Sequence, residues 1–282
     1  LLVNLWRLFV IQWVKVYLRP TVTISHLEGP NFANLLTVFG GTKVIFVHNR
    51  ISKSYSNDFV REQLLKRFAR YLYHRADRVV GVSPEVCREL VESFKVQHQK
   101  VLFSPNPIDC LAIKQAAVKE YGDFRDRLLD DDYLISVASL TPQKNHELMI
   151  RVFQRLVKDN EKFNGFKLLL LGDGALRASL CRICNKLDLS VFEVGNDLPT
   201  GSEQVYLLGF EENPYPLIKH AKLLLMTSRW EGLPIALLEA MCLGVPAVVS
   251  NCSDGIRVVW NITGEPAMQK ELSTTHSTPY GT

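Results

Sequence analysis

The 282 residues of the chain allow one large domain or two modest ones, at roughly 100–200 residues each. With 47% hydrophobic and 22% charged residues it has ample apolar matter for a packed core, which excludes disorder of the whole. The net charge of +4 conceals an asymmetry: residues 1–122 hold 17 Lys/Arg against 9 Asp/Glu, and residues 123–282 hold 16 against 20, so the halves carry +8 and −4.

Residues 1–18, LLVNLWRLFVIQWVKVYL, are apolar enough to raise a membrane-spanning or signal segment. Arg7, Gln12 and Lys15 interrupt the run, no small-residue cleavage site follows, and the length falls short of a ~20-residue span. A core or interfacial helix is the reading. The chain opens without Met, inside an element already under way, and the expectation is a fragment. Thr21–Ser25, Val44–Val47, Arg78–Val82 and Val101–Phe103 are short, β-branched and bounded by turn residues, and read as buried strands. Pro30–Phe39, Asp58–His74 and Pro84–Phe94 read as helices between them, the last with Ser83 as cap and Pro84 in the first turn.

Near 110–132 the alternation breaks: Pro105-Asn106-Pro107 leads into a polar segment ending in Asp130-Asp131-Asp132. It then resumes, with strands at Tyr133–Ala138, Lys167–Leu171, Gln204–Leu208, Lys222–Met226 and Val245–Val249 and helices at Asn145–Lys158, Ala175–Leu187 and Pro234–Cys242. Strands spaced by helices make parallel sheets. The expected fold is α/β, two Rossmann-like doubly wound domains facing across a cleft: residues 1–110, a linker at 111–132, residues 133–260, and a polar tail at 261–282. Ligands then bind beyond the carboxyl ends of the strands.

Six cysteines, at 87, 110, 181, 184, 242 and 252, lack a disulfide-framework spacing, and reduced thiols are expected. Cys181 and Cys184 form a lone CxxC without a second pair or a His cluster, which reads as two helix-face thiols rather than a zinc or redox site.

The strongest constellation is SRWEGLPIALLEAM at 228–241. Glu231 falls in a loop after a strand, Pro234 opens a helix, and Glu239 sits within that helix among apolar residues. So apolar a helix should be buried, and a buried carboxylate costs several kcal/mol unless a polar partner such as a ligand hydroxyl meets it. The N–H groups of Gly232, Leu233 and their neighbours lie at the helix start, where phosphate binds readily. Read separately, Glu231 is a solvated loop residue and Glu239 a salt-bridge partner; the pair in this setting favours a ligand site.

Glu231 and Glu239 with seven residues between them resemble the acidic motif of glycosyltransferase family 4, retaining enzymes of the GT-B fold. The resemblance runs from about Thr21 to Arg257 through SHLEGPNFANLL (25–36), Asn106-Pro107-Ile108-Asp109, LTPQKNHEL (140–148), LGDGALR (171–177), NPYPLIKHA (213–221) and GVPAVVSNC (244–252). It is nearest to bacterial transferases that build polyprenyl-diphosphate-linked or cell-surface polysaccharides. It implies a nucleotide-diphosphate sugar as donor, with Glu239 on the ribose hydroxyls, Glu231 on the transferred sugar and Lys144 on the diphosphate. Where the family usually has Arg, five residues before this Lys, the chain has Ser139, so one fixed cation is lost. Gly172-Asp173-Gly174 is a tight β–α turn, near the nucleotide by the same resemblance. His48 is placed facing the sugar, with Asn49, Arg50 and Lys53 behind it; His26 has a weaker claim on the acceptor side.

The resemblance further implies transfer with retention and without a metal or other cofactor, to a glycan or polyprenyl-diphosphate-linked acceptor. The +8 half suits a phosphate-bearing acceptor or an anionic membrane surface, and so a cytoplasmic protein peripheral to the inner face of the membrane. A hydrolase using paired carboxylic acids is the rival enzyme. Against the pattern of the family it resembles, the N-terminal domain and the C-terminal domain are both expected to be incomplete, and a truncated, inactive nucleotide-binding remnant is the non-enzymatic alternative. No basic-aromatic stripe points to nucleic acid.

Overall fold

The computed structural model describes residues 2–50, 52, 59–195 and 198–259. The chain divides into two compact units. The first is formed by the described residues up to Asn106, joined by Trp230–Leu233 and by 253–259; the second is formed by Pro107–Arg229 and Pro234–Cys252. The expected tail at 261–282 lies outside the described residues.

In the first unit, α1 (Leu2–Leu18) precedes a sheet of four parallel strands in chain order: β1 (Val22–His26), β2 (Thr42–Val47), β3 (Arg78–Gly81) and β4 (Val101–Phe103). The crossovers are α2 (Glu28–Leu36), α3 (Phe59–Tyr73) and α4 (Pro84–Glu92). Ser83 caps α4 as the sequence indicates, its side chain accepting from the N–H of Val86, with Pro84 in the first turn. Ile45, Val47 and Val79 from the strands pack with Leu35, Tyr73, Leu90 and Phe94 from the crossovers. The expectation of uniformly buried strands fails at β1. It lies at the sheet edge, where Val22 is 49% and Ile24 61% exposed.

α1 is anchored by a lysine. Lys15 is buried, its Nζ donating to the Asn34 carbonyl (2.9 Å) and Oδ1 (2.6 Å). Trp6, Phe9, Trp13 and Tyr17 remain exposed. Among the described residues no helix is long and apolar enough to cross a membrane.

The second unit holds six parallel strands: β5 (Tyr133–Val137), β6 (Lys167–Leu171), β7 (Val191–Glu193), β8 (Val205–Gly209), β9 (Leu223–Met226) and β10 (Ala247–Val249). Their spatial order is β10-β9-β5-β6-β8-β7. Every residue of β6 and β8 is buried, as parallel strands covered on both faces require. α7 (His146–Asp159) and α8 (Arg177–Lys186) cover the sheet, Met149, Ile150, Phe153 and Leu180 packing on Leu168 and Leu170. Residues 111–132, read from sequence as a linker, carry helical structure and belong to this unit. α5 (Cys110–Ala116) and α6 (Phe124–Leu128) are capped by Asp109 and Asp123. In the acidic run that follows, Asp131 pairs with Lys167 and Asp132 with Lys222 at the amino ends of the strands.

Two short helices complete the unit, α9 (Tyr215–His220) and α10 (Ile235–Cys242); α11 (Asp254–Val259) returns to the first unit. Packing of α5 against α10 brings Cys110 and Cys242 together as a disulfide, Cα–Cα 5.3 Å, across 132 residues of sequence. This corrects the expectation of six reduced thiols: a pairing so distant leaves no spacing to read. Cys87, Cys181, Cys184 and Cys252 remain thiols. Cys181 meets the Glu193 carboxylate, and burial, foremost, pushes its pKa up to about 11.

Two outcomes follow from this packing. Alkylation of the unfolded, unreduced chain should label four cysteines, and six after reduction; six labels without reduction would remove the Cys110–Cys242 bond. Burial, and then the charge of Lys43, lower the Lys15 pKa from 10.5 to about 8. Between those values the unfolded chain binds the proton that the folded chain has released, so this group adds stability as pH rises through the window. Urea unfolding across that range should show a shallower rise in Lys15→Met than in wild type, and equal slopes would refute the assignment.

Candidate active site

The strand order reverses at β5. Its successor β6 lies on one side and β9, much later in the chain, on the other. The loops leaving the carboxyl ends of β5 and β9 therefore meet at a topological switch point, the place where open α/β sheets bind ligands. Hydrogen bonds lace the two loops. Thr227 Oγ1 donates to the carbonyls of Lys144 (3.1 Å) and Asn145 (3.0 Å), and the Arg229 N–H donates to the carbonyl of Gln143 (2.8 Å). Lys144 is half-buried at the turn, and Asn145 follows in the left-handed region (φ 52°), which asparagine tolerates. No side chain caps α7 or α10. His146, in the first turn of α7, is buried, and burial followed by the Lys144 charge lowers its pKa to about 4.

Ser139 is exposed on the loop after β5. Gly172, after β6, has φ 134°, and a Cβ there would fall 2.1 Å from the Ala138 carbonyl oxygen. Close packing of the two loops accounts for this glycine.

Glu239 lies in α10. The expectation that this helix is buried all round is corrected: Leu237 and Ala240 are buried, Glu239 is half-buried, and Ile235 is 49% exposed. Tyr215 in α9 donates its hydroxyl to Glu239 Oε1 at 3.1 Å. Burial raises the Glu239 pKa, and the Tyr215 hydrogen bond opposes the rise.

The other candidates belong to the first unit. His26 ends β1 and His48 follows β2, where the parallel register sets His26 beside Phe46. His26 Nδ1 lies 2.9 Å from His48 Nε2, and the Phe46 ring stacks on His26 with centroids 4.5 Å apart. Burial, then the neighbouring His26, lowers the His48 pKa, while a hydrogen bond with the Asn106 side chain opposes this. Asn49 is half-buried, Arg50 is paired with Glu85 and Glu89, and Lys53 lies outside the described residues.

Glu231, Gly232 and Leu233 are buried, so Glu231 is not the solvated loop residue of the alternative reading. Their loop is held closely. Asn106 Nδ2 donates to the Leu233 carbonyl (3.1 Å), Ser253 Oγ donates to the Gly232 carbonyl (3.2 Å), and a Cβ on Gly232 would lie 1.9 Å from the His48 carbonyl oxygen. Thus Glu231–Leu233 gather with His26 and His48 in the first unit, whereas Glu239, Lys144, Gly172 and Ser139 belong to the second.

Sequence reasoning missed Asn106, Tyr215, Thr227 and Arg229. The first two stand inside motifs that the chain displays, Asn106-Pro107-Ile108-Asp109 and NPYPLIKHA, and the last two flank the acidic motif. Among the described residues no three His, Cys, Asp or Glu side chains gather where they would hold a metal ion.

Comparison with known proteins also divides the chain in two, with 230–233 and 253–259 falling in the second part. Residues 2–110 match the family model described as Glycosyltransferase Family 4, and residues 121–261 match Glycosyl transferases group 1. An uncharacterized glycosyltransferase of Methanocaldococcus jannaschii is 28% identical over 252 residues, 86% of this chain and 58% of that protein. The N-acetylgalactosamine-N,N'-diacetylbacillosaminyl-diphospho-undecaprenol 4-alpha-N-acetylgalactosaminyltransferase of Campylobacter jejuni is 29% identical over 234 residues, 82% of this chain and again 58% of that protein. The chain thus spans little more than half the length of these curated relatives. An alpha,alpha-trehalose-phosphate synthase (UDP-forming) from Burkholderia vietnamiensis superposes with a TM-score of 0.70 at 15% identity, over 92% of this chain and 63% of that one. By its two family matches and by its fold, the chain belongs to the group 1 and family 4 glycosyltransferases of the GT-B class.

Proposed function

We propose that this chain carries the sugar-donor machinery of a retaining glycosyltransferase that moves a glycosyl unit from a nucleotide-diphosphate sugar to a glycan or polyprenyl-diphosphate-linked acceptor in cell-surface polysaccharide synthesis. The observation that carries this reading is the lacing of the β5 and β9 loops at the switch point, which fixes Lys144 against Thr227 and Arg229 in the unit that also holds Glu239. The Campylobacter relative is named for transfer to a diphospho-undecaprenol acceptor, and the Burkholderia structure for forming UDP; both names suit this chemistry.

In this reading Glu239, poised by Tyr215, accepts hydrogen bonds from the ribose hydroxyls, and Glu231 does so from the transferred sugar. Lys144 and the uncapped starts of α7 and α10 meet the charge that grows on the departing diphosphate, aided by Gly172. Arg229, exposed and one backbone hydrogen bond from Gln143, supplies the cation that Ser139 does not. His48, His26 and Asn49 face the sugar and acceptor. The reaction needs no metal in this reading, because fixed cations and helix termini do its electrostatic work. A second reading is a nucleotide-binding remnant without turnover.

Thermal-shift titration with UDP-, GDP- and ADP-sugars tests the donor site. One donor class should raise the wild-type midpoint, and Glu239→Gln should abolish most of that rise; equal shifts in both would overturn the assignment. For the donor that binds, Lys144→Ala should lower kcat by about 100-fold or more, on the scale of removing one group that meets developing charge. Binding by wild type with no transfer to any lipid-linked acceptor would select the remnant.

The reading places the protein in the cytoplasm, peripheral to the membrane through the exposed Trp6, Phe9, Trp13 and Tyr17 of α1 with the exposed Arg7 and Arg19. Cosedimentation with anionic vesicles should fall several-fold in a Trp6→Ala, Trp13→Ala double variant. Unchanged sedimentation would remove the membrane from the proposal.

A further inference from the structure

We propose that the Cys110–Cys242 disulfide is a redox switch on Glu239: closed, it braces α10 on α5 and keeps the carboxylate at the Tyr215 hydroxyl; opened by a dithiol, it loosens both. That this carboxylate serves a sugar donor rests on the transferase reading above; its coupling to the bond does not.

The bond joins two helix ends. Cys110 is the first residue of α5 and Cys242 the last of α10, three positions beyond Glu239 and so its neighbour along the helix surface. The far end of α5 holds α9. Asn213 Nδ2 donates to the Ala116 carbonyl (3.0 Å), and the Tyr121 hydroxyl, past the end of α5, donates to the Asn213 carbonyl (2.8 Å). Asn213 stands two residues before Tyr215, whose hydroxyl reaches Glu239 Oε1 at 3.1 Å. The three helices thus close a ring: α5 to α10 through sulfur, α10 to α9 through Glu239, and α9 back to α5 through Asn213. α9 has a further hold, its Leu217 carbonyl accepting from the Tyr133 hydroxyl of β5 at 2.7 Å. Cutting the sulfur link therefore frees the α10 side of the ring and leaves Tyr215 in place.

The same residues make the bond reversible. Cys110 is exposed and Cys242 half-buried, so a reductant reaches the first sulfur in the folded chain. α5 keeps its place after reduction, with Ile113 and Ala117 buried beneath it and Asp109 capping its start. Reoxidation then does not have to gather ends 132 residues apart from an open chain. Exposed disulfides are the labile ones, and in a thiol-rich compartment such bonds serve as sensors.

One thiolate of the dithiol attacks the Cys110 sulfur, and the S–S bond breaks with its electron pair on the Cys242 sulfur, which takes a proton. The second thiolate resolves the mixed disulfide, and Cys110 leaves and is protonated in turn. The reductant ends as a disulfide, its two electrons held by the two thiols of the chain. Burial disfavours the charged form of Glu239 and the Tyr215 hydrogen bond opposes that, so loosening α10 raises the pKa further. The other charged groups on the elements packed against α10 are Lys114 of α5 and Lys219 and His220 of α9; β10 carries none, and the test leaves these unaltered.

Carbon-13 NMR of the glutamate carboxyls, with Glu239→Gln assigning the signal, follows this titration in the 282-residue chain without any nucleotide. Dithiothreitol should raise the midpoint of wild type, in the same direction as Tyr215→Phe. Cys110→Ser should show the raised midpoint and no response to dithiothreitol. A wild-type midpoint unmoved by reduction overturns the proposal whether or not the variants fold, and so do six free thiols after treatment with oxidised glutathione. Donor titration separates the two readings. Reduction should weaken whichever of UDP-, GDP- or ADP-sugar binds by about three- to tenfold, the scale of one hydrogen bond. Unchanged donor affinity despite a moved midpoint overturns the switch. No donor bound in either redox state ends the transferase reading and leaves the coupling of bond and carboxylate standing.

Discussion

A single hydroxyl, Thr227 Oγ1, spans the two loops on which the candidate donor site rests. A parallel sheet sends each strand's continuation away through a long crossover, so two neighbouring carboxyl ends have no covalent reason to stay in register. Thr227 supplies that register by reaching the consecutive carbonyls of Lys144 and Asn145, and the Arg229 N–H adds a third bond to Gln143. The left-handed turn at Asn145 presents those carbonyls to the threonine and leaves α7 open at its positive end. What the second unit can do with an anion depends on this seam.

The two carboxylates of the acidic motif illustrate how environment divides like residues. Glu239 is half-buried and shares a hydrogen with Tyr215, an arrangement that holds the carboxylate ready for hydroxyl donors despite the cost of burial. Glu231 is deeply buried in a loop gripped by Asn106, Ser253 and the close approach of Gly232 to His48. Eight positions apart in sequence, they belong to different compact units.

The sheets were legible because burial on both faces demands β-branched and leucine runs, and Leu168–Leu171 obeys that rule. The α4 start was legible because Ser83 and Pro84 act locally. The Asp109 and Asp123 caps were equally local, yet the helices they start are so short that polar composition masked them as a linker. Nothing in the spacing of Cys110 and Cys242 announces a bond made by packing of α5 on α10. The exposed face of β1 was hidden for another reason: composition describes a strand, whereas burial depends on its neighbours. Among the candidate site residues, residue types pointed to His48, Lys144, Glu231 and Glu239. Asn106 and Thr227 escaped because they act by holding other groups, and an amide or a hydroxyl carries no charge signature.

The loop at 230–233 has a genealogical consequence. The chain passes between its two units after Asn106, after Arg229, after Leu233 and after Cys252, so neither unit is one continuous stretch of sequence. A recombination event that exchanged the front of such a gene at the codon for Asn106 would separate His48 and Asn106 from the Gly232 and Leu233 with which they grew up. Inheritance of the first unit as a module therefore requires three separate segments to travel together, and drift in any one of them is constrained by the other two.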